Sequence, residues 1–369
     1  MITEKTAKLP PFFTQVIGSL PRPQLVRELI TAHPDHSGSE TFKLMSDVVI
    51  FAIRLQEQAG LDVVSDGEWR RTQYVGEFLR RIGGFEKAWK IEHQGEIMTH
   101  DVVVRRIDAK EPVFHADAEF LVQNTDRLTK FALPSPFLIG TRYWHEDYSS
   151  KAYATRLEFM QHLAEILAGE AKALEQAGID IIQLDDPALT YFCDEKMLSG
   201  DTHDDRLRQK WEPEKQIPDA IDCINTIVSG LQAEVHLHCC HSVYKRMSDV
   251  SGNYSNILPW LKDARIDRIN LEFAYKETGD ISDLELLPDH LGVGMGVVDV
   301  RTEKPQSVEE IAAIAEAGGQ VISPSRIAMN PDCGFAPDFG EPPSIDEAFE
   351  KLSRLAQASK KLRGQLTAG

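Results

Sequence analysis

Cysteine is scarce in this chain: five among 369 residues, at positions 193, 223, 239, 240 and 333. So few, and an odd number, exclude a disulfide scaffold and point to a reducing cytoplasm, where thiols stay free or hold metal. No stretch reaches the roughly 18 apolar residues of a membrane-spanning helix, and Met1 to Lys5 lacks the apolar core of a signal peptide. Basic residues are outnumbered, 40 against 58 acidic ones, for a formal net charge of -18. Such a surface repels phosphate backbones and anionic membranes, which argues against nucleic acid or lipid as partner. It does not exclude an anionic small molecule, because a local pocket overrides the global field. No internal repeat, low-complexity tract or charge block stands out.

What is present suffices for a real core. Hydrophobic residues make up 42% and charged residues 27%, ordinary for a soluble globular protein, and the length allows one large barrel or two ordinary domains. Short apolar runs alternate with amphipathic stretches. Strands are expected at Phe12 to Ile17, Leu61 to Ser65, Lys130 to Phe137, Ile179 to Leu184, Glu234 to Cys239, Asp267 to Phe273, Leu291 to Val298 and Arg326 to Met329. Helical spacing covers Thr41 to Gln58, Tyr153 to Gln176, Pro218 to Leu231, Val308 to Ala317 and Ile345 to Leu362. Eight such units without a linker predict one (β/α)8 (TIM) barrel spanning residues 1–369. Residues 84–126 break the rhythm and read as a pair or more of inserted β-hairpins after the second strand.

Barrel chemistry sits where strands end and βα loops begin. Seven expected strand ends carry polar groups: Gly18-Ser19, Asp66-Gly67-Glu68, Asp185-Asp186, His238 to Cys240, Glu272, Asp299 and Cys333. Residues two apart on a strand share a face, so His236, His238 and Cys240 point one way, Cys239 the other. One imidazole, two thiols and a carboxylate (His238, Cys240, Cys333 and Glu272) compose a zinc shell with one exchangeable oxygen. Against this, His-x-Cys alone is usually packing, and a buried cysteine is commonly a small hydrophobe. By spacing alone the two readings are balanced. His236 lies one step deeper and reads as a core histidine, and Cys193 and Cys223 read as structural.

Ile17-Gly18-Ser19-Leu20-Pro21-Arg22, Asp66-Gly67-Glu68, Gln183-Leu184-Asp185-Asp186-Pro187-Ala188-Leu189, His238-Cys239-Cys240 and Asn330-Pro331-Asp332-Cys333-Gly334 occur in this order. The series resembles the C-terminal catalytic barrel of cobalamin-independent methionine synthase, in a single-barrel form, from about residue 12 to 355. The resemblance implies zinc on His238, Cys240, Glu272 and Cys333. It also implies homocysteine bound through its sulfur, with its carboxylate at Ile17, Gly18 and Ser19 and its ammonium at Glu68 and Asp185. A serine and backbone N–H groups suit a carboxylate, and two carboxylates suit an ammonium. A turn or cap serves as well for Asp185-Asp186-Pro187 and Asp66-Gly67 taken singly.

The pattern also departs from the family. Where the family often has Asp-x-His after the seventh strand, read as a proton relay, this chain keeps Asp299 but has Arg301, which cannot shuttle a proton near neutral pH. The second barrel of the full-length enzymes is missing. Tyr143 and Trp144 either stack on a flat donor or pack as a lid. The expected activity is a zinc-dependent methyl transfer to a thiol, homocysteine to methionine, with a methylfolate, a methylcorrinoid protein or another small methyl compound as donor. Rival readings are an alkyltransferase opening an epoxide with coenzyme M, a metal-free barrel resembling uroporphyrinogen decarboxylase, and a barrel that only binds a ligand, a metal or a protein partner.

Overall fold

Apolar β-branched runs, each bounded by turn residues, form eight short parallel strands in the computed structural model. It describes residues 6–32, 39–71, 73–93, 95–202, 204–243, 246–336 and 341–368. Met1 to Lys5 therefore lie outside the described residues. The strands are β1 (Phe13–Thr14), β2 (Val63–Val64), β5 (Leu128–Pro134), β6 (Ile181–Asp185), β7 (Glu234–His238), β8 (Arg268–Glu272), β9 (Gly292–Val298) and β10 (Ile327–Pro331). They are hydrogen-bonded in the order β1-β10-β9-β8-β7-β6-β5-β2, a nearly closed (β/α)8 barrel. Between β3 (Phe85–His93) and β4 (Glu96–Val103) runs a separate antiparallel ladder.

The seam between β1 and β2 is stitched by a side chain. The Asp62 carboxylate accepts from the Thr14 backbone N–H (2.7 Å) and hydroxyl (2.9 Å), while Asp62 N–H donates to the Thr14 carbonyl (3.2 Å). Asp180 treats Thr129 the same way (2.9 and 3.0 Å), and Asp267 accepts from Val235 N–H (2.9 Å). An aspartate just before a strand thus caps the start of its neighbour three times around the lower rim.

Four local outcomes differ from the sequence reading. The strand expected over Lys130 to Phe137 stops at Pro134, because Pro136 opens a helix, Pro136–Tyr143, whose N-cap Ser135 accepts from Leu138 N–H at 3.0 Å. Residues 84–126 hold one hairpin and then a helix, His115–Gln123, rather than several hairpins. After β7 and β8 the connections are 3-10 turns (Tyr254–Asn256, Leu258–Asp263 and Ile281–Leu286) in place of α-helices. The helix at Val308 runs on to Val321 from a Ser307/Glu310 capping box.

The lumen is polar at its centre. Lys130 Nζ donates to Gln183 Oε1 (2.9 Å) and to the Val16 carbonyl, and Asn270 Nδ2 donates to the same Gln183 oxygen (2.9 Å). Gln15 Nε2 reaches Asn270 Oδ1 (3.0 Å). Gly294 leaves room for this network, since a Cβ there would collide with the Asn270 and Asn330 amide oxygens. Burial pushes the Lys130 amine down to about 7, against the pull of Asp185. Below this layer Phe13, Val63, Ile181 and Ala328 pack into the barrel's foot.

Candidate active site

The register of the sheet sets Asp185, His238 and Asn270 side by side on β6, β7 and β8. Asp185 Oδ1 accepts from His238 Nδ1 at 3.0 Å and from Gln183 Nε2 at 2.7 Å. The carboxylate engages Nδ1, so Nε2 is the ring nitrogen that faces the mouth. That nitrogen is buried and has no oxygen or nitrogen partner. It faces Cys240, two residues on, and Cys333, just past β10. The ligand atoms of His238, Cys240 and Cys333 lie within 4.8 Å of one another, and the two sulfurs are 3.3 Å apart.

The Cys240 contact and burial push the Cys333 thiol well up. Burial alone would lower His238, but its bonds to Asp185 and Cys333 outweigh that and lift it to about 9. One imidazole nitrogen and two adjoining thiols form the soft N/S donor set that zinc takes. No ion is needed to explain Cys239, which is fully buried on the opposite face, or Cys193 and Cys223, both buried.

Glu272, expected as the oxygen ligand, is not brought into this group. Both its oxygens are held by Arg301 Nη2, at 2.9 and 3.1 Å, and Oε2 also lies 3.3 Å from His241 Nδ1. Among the described residues three ligand side chains converge, His238, Cys240 and Cys333. His236 is likewise elsewhere, donating from Nε2 to Glu234 Oε1 at 2.8 Å on the barrel floor.

Above the trio opens a pocket of about 230 Å³, lined among others by Ile17, Gly18, Ser19, Glu68, Asp185 and Arg142. Gly18 leaves room there for Glu68, whose Oε1 would lie 2.5 Å from a Cβ at this position. Glu68 itself takes a positive φ of 59° in the turn after β2, with its N–H on Asp66 Oδ1 (3.0 Å). Burial raises the Glu68 carboxyl, and Arg71 and Arg22 pull it back. Ser19 is tied to the loop after β10, where its Oγ accepts from Ala336 N–H (3.1 Å) and its carbonyl from Phe335 N–H (2.8 Å). Every substrate-side residue expected from sequence is thus brought to one pocket with the trio.

Asp299 is not at this pocket. It accepts from Arg301 N–H at 2.7 Å and from the Thr302 hydroxyl, shaping the loop that carries Arg301. Tyr143 packs on His100 (4.7 Å between rings) and Phe85, and Trp144 Nε1 donates to the Tyr153 carbonyl (3.2 Å). Sequence reasoning missed Arg142 and treated Arg22 only as part of a motif. Arg22 donates to the Glu68 carbonyl (3.0 Å) and lies 3.6 Å from its carboxylate. A basic residue inside the Gly18 to Arg22 segment was the available signal.

The family model for the catalytic domain of cobalamin-independent synthase matches residues 12–361. The chain belongs to that family. It is 29% identical to a methionine synthase of Pyrococcus horikoshii, over 97% of this chain and 95% of that one. It is 30% identical to a methionine synthase of Saccharolobus solfataricus, over 98% and 97%. A solved B12-independent methionine synthase from Shewanella sp., in complex with selenomethionine, superposes with a TM-score of 0.79 at 26% identity, covering 98% of this chain and all of that one. The protein is a methyltransferase enzyme of the cobalamin-independent methionine synthase family, built on a TIM barrel. No helix among the described residues is long and apolar enough to cross a membrane.

Proposed function

We propose that this enzyme transfers a methyl group to the sulfur of homocysteine, giving methionine, with zinc held by His238, Cys240 and Cys333. The observation that carries the reading is that these three side chains converge in the same pocket as two carboxylates, Glu68 and Asp185. Zinc there would supply the Lewis acidity that keeps an incoming thiol deprotonated near neutral pH. Free thiols at such a site suit a reducing cytoplasm.

The chain's own residues do the rest. Asp185 uses Oδ1 for His238 and Gln183, while among the described residues Oδ2 receives no hydrogen bond and is available to an ammonium. Glu68, poised over Gly18, supplies the second carboxylate. Ile17 to Ser19 offers backbone and a hydroxyl to the substrate carboxylate. The substrate is thereby oriented with its sulfur toward the trio, which converts a bimolecular encounter into a positioned attack. In balance, a sulfur–carbon bond forms, the methyl group's bond to its donor breaks, and the donor keeps that electron pair. The selenomethionine held by the Shewanella relative has the shape of the product and supports an amino-acid ligand here.

The methyl donor is a methylfolate, a methylcorrinoid carried by another protein, or another small methyl compound. The test is a mass-spectrometric assay of zinc-loaded protein with homocysteine and a panel of these donors. Methionine with one of them is the expected result. Alkylation of coenzyme M by an epoxide, with homocysteine inert, would overturn the choice of thiol, since a sulfonate has no ammonium for Glu68 and Asp185.

A further inference from the structure

Glu272 is fully buried at the end of β8, one strand from His238, yet its carboxylate is not among the ligand atoms that converge there. The group that holds it is Arg301, whose side chain is also fully buried. Arg301 is pinned from four directions. Its Nη2 donates to both Glu272 oxygens and to the Ser242 carbonyl (2.6 Å), and its Nη1 lies 3.8 Å from Asp332 Oδ2. Its guanidinium sits 4.9 Å from the centre of the Tyr275 ring, and its backbone N–H is held by Asp299. Asp332 is itself fixed by the N–H groups of Phe273, Ala274 and Tyr275 (3.0–3.1 Å). Among the described residues all of Arg301's side-chain hydrogen bonds leave from Nη2, and Nε and Nη1 are buried without a hydrogen-bond partner, so this buried cation depends on Glu272 as its nearest counter-charge.

We propose that Arg301 withholds Glu272 from the metal, so that this chain binds its ion through His238, Cys240 and Cys333 alone and keeps a position free for the substrate sulfur. This rests on the metal reading above. The charge balance gives the reason it matters. Two thiolates cancel a divalent cation, so a ligated carboxylate would leave the site at minus one before an anionic sulfur arrives. With Glu272 paired to Arg301, the incoming sulfur meets a site with no net charge and no ligand to displace. Arg301 is in this view a positioning residue, acting through Glu272.

The experiment is zinc competition against a chromophoric chelator for the full chain and the variants Glu272→Gln, Arg301→Met and the double variant, with His238→Ala as control. Glu272→Gln is expected to change zinc affinity by less than about threefold in the presence of Arg301, and to lower it at least tenfold in the Arg301→Met background, where the carboxylate is released to the ion. A tenfold loss from Glu272→Gln alone, or no loss in the Arg301→Met background, overturns the proposal. A crystal structure of the zinc-loaded natural chain decides independently of whether the variants fold. Glu272 still on Arg301 supports the proposal, and a Glu272 oxygen about 2.0–2.2 Å from zinc refutes it. Absence of zinc binding in the natural chain would instead defeat the proposed function.

Discussion

His236 and His238 sit two residues apart on one face of β7, and each is bonded to a carboxylate, Glu234 at 2.8 Å and Asp185 at 3.0 Å. Their fates are opposite. For His236, burial outweighs its bond to Glu234, with Arg268 and Lys130 adding cationic repulsion, and it is pushed down to about 4. His238 is buried too, but Asp185 and the Cys333 sulfur lift it to about 9. At neutral pH the lower histidine is a neutral donor locking the barrel floor, while the upper one holds a proton whose place a metal would take. One strand thus carries a structural pair and a ligand pair, and what separates them is the charge of their surroundings: guanidinium and amine below, thiols above.

The sharpest break of that comparison is to delete each imidazole. His238→Ala is expected to lower zinc affinity by more than about 100-fold and leave folding nearly intact, because a ligand is lost at the open mouth. His236→Ala is expected to keep zinc but to cost about 1–3 kcal/mol in urea unfolding, since Glu234 loses its buried partner. Equal zinc affinity in the two variants would erase the distinction. Asp185→Asn comes next. It keeps the shape but weakens the hold on His238 Nδ1, and zinc affinity should fall about 10- to 100-fold, as for other outer partners of metal-bound histidines. Gly18→Ala comes third. Its methyl would displace the Glu68 carboxylate, weakening homocysteine binding about tenfold by calorimetry with zinc content unchanged.

The period-two rule was enough to put His236 and His238 on one face and to rank the deeper one as structural. The ordered strand-end clusters likewise anticipated the barrel and the pocket residues from Ile17 to Asp185. What stayed illegible depends on where loops fold back. Arg301 was conspicuous as a departure, but its pairing with Glu272 arises from the turn after β9 reaching over β8, which no spacing encodes. The inward-facing Gln15, Lys130 and Gln183 lie within runs read simply as apolar strands, and only the closed lumen shows that they satisfy one another. The 3-10 connections after β7 and β8 were hidden for a similar reason: short turns packed on the barrel need no amphipathic period.

A further expected effect lies in acid, and it refines the contrast at the floor. His236 folds neutral, lowered to about 4 from an ordinary 6.5, so below pH 6.5 the unfolded chain takes up a proton that the folded chain refuses. Stability should then decline as pH falls from 6.5 toward 4, by about 3 kcal/mol in all. Glu234 is held down to about 2: burial opposes this, but the bond to His236 and the nearby Arg268 overcome it. Its contribution is present above 4.5 and is lost as pH falls toward 2. In His236→Ala the first slope should vanish and the second should flatten, because the same substitution removes the titrating ring and the donor that depresses Glu234. Urea unfolding of both proteins between pH 7 and 2 reads both differences. Parallel curves would mean that the histidine does not titrate with the fold, and that the contrast between the two imidazoles is one of position only.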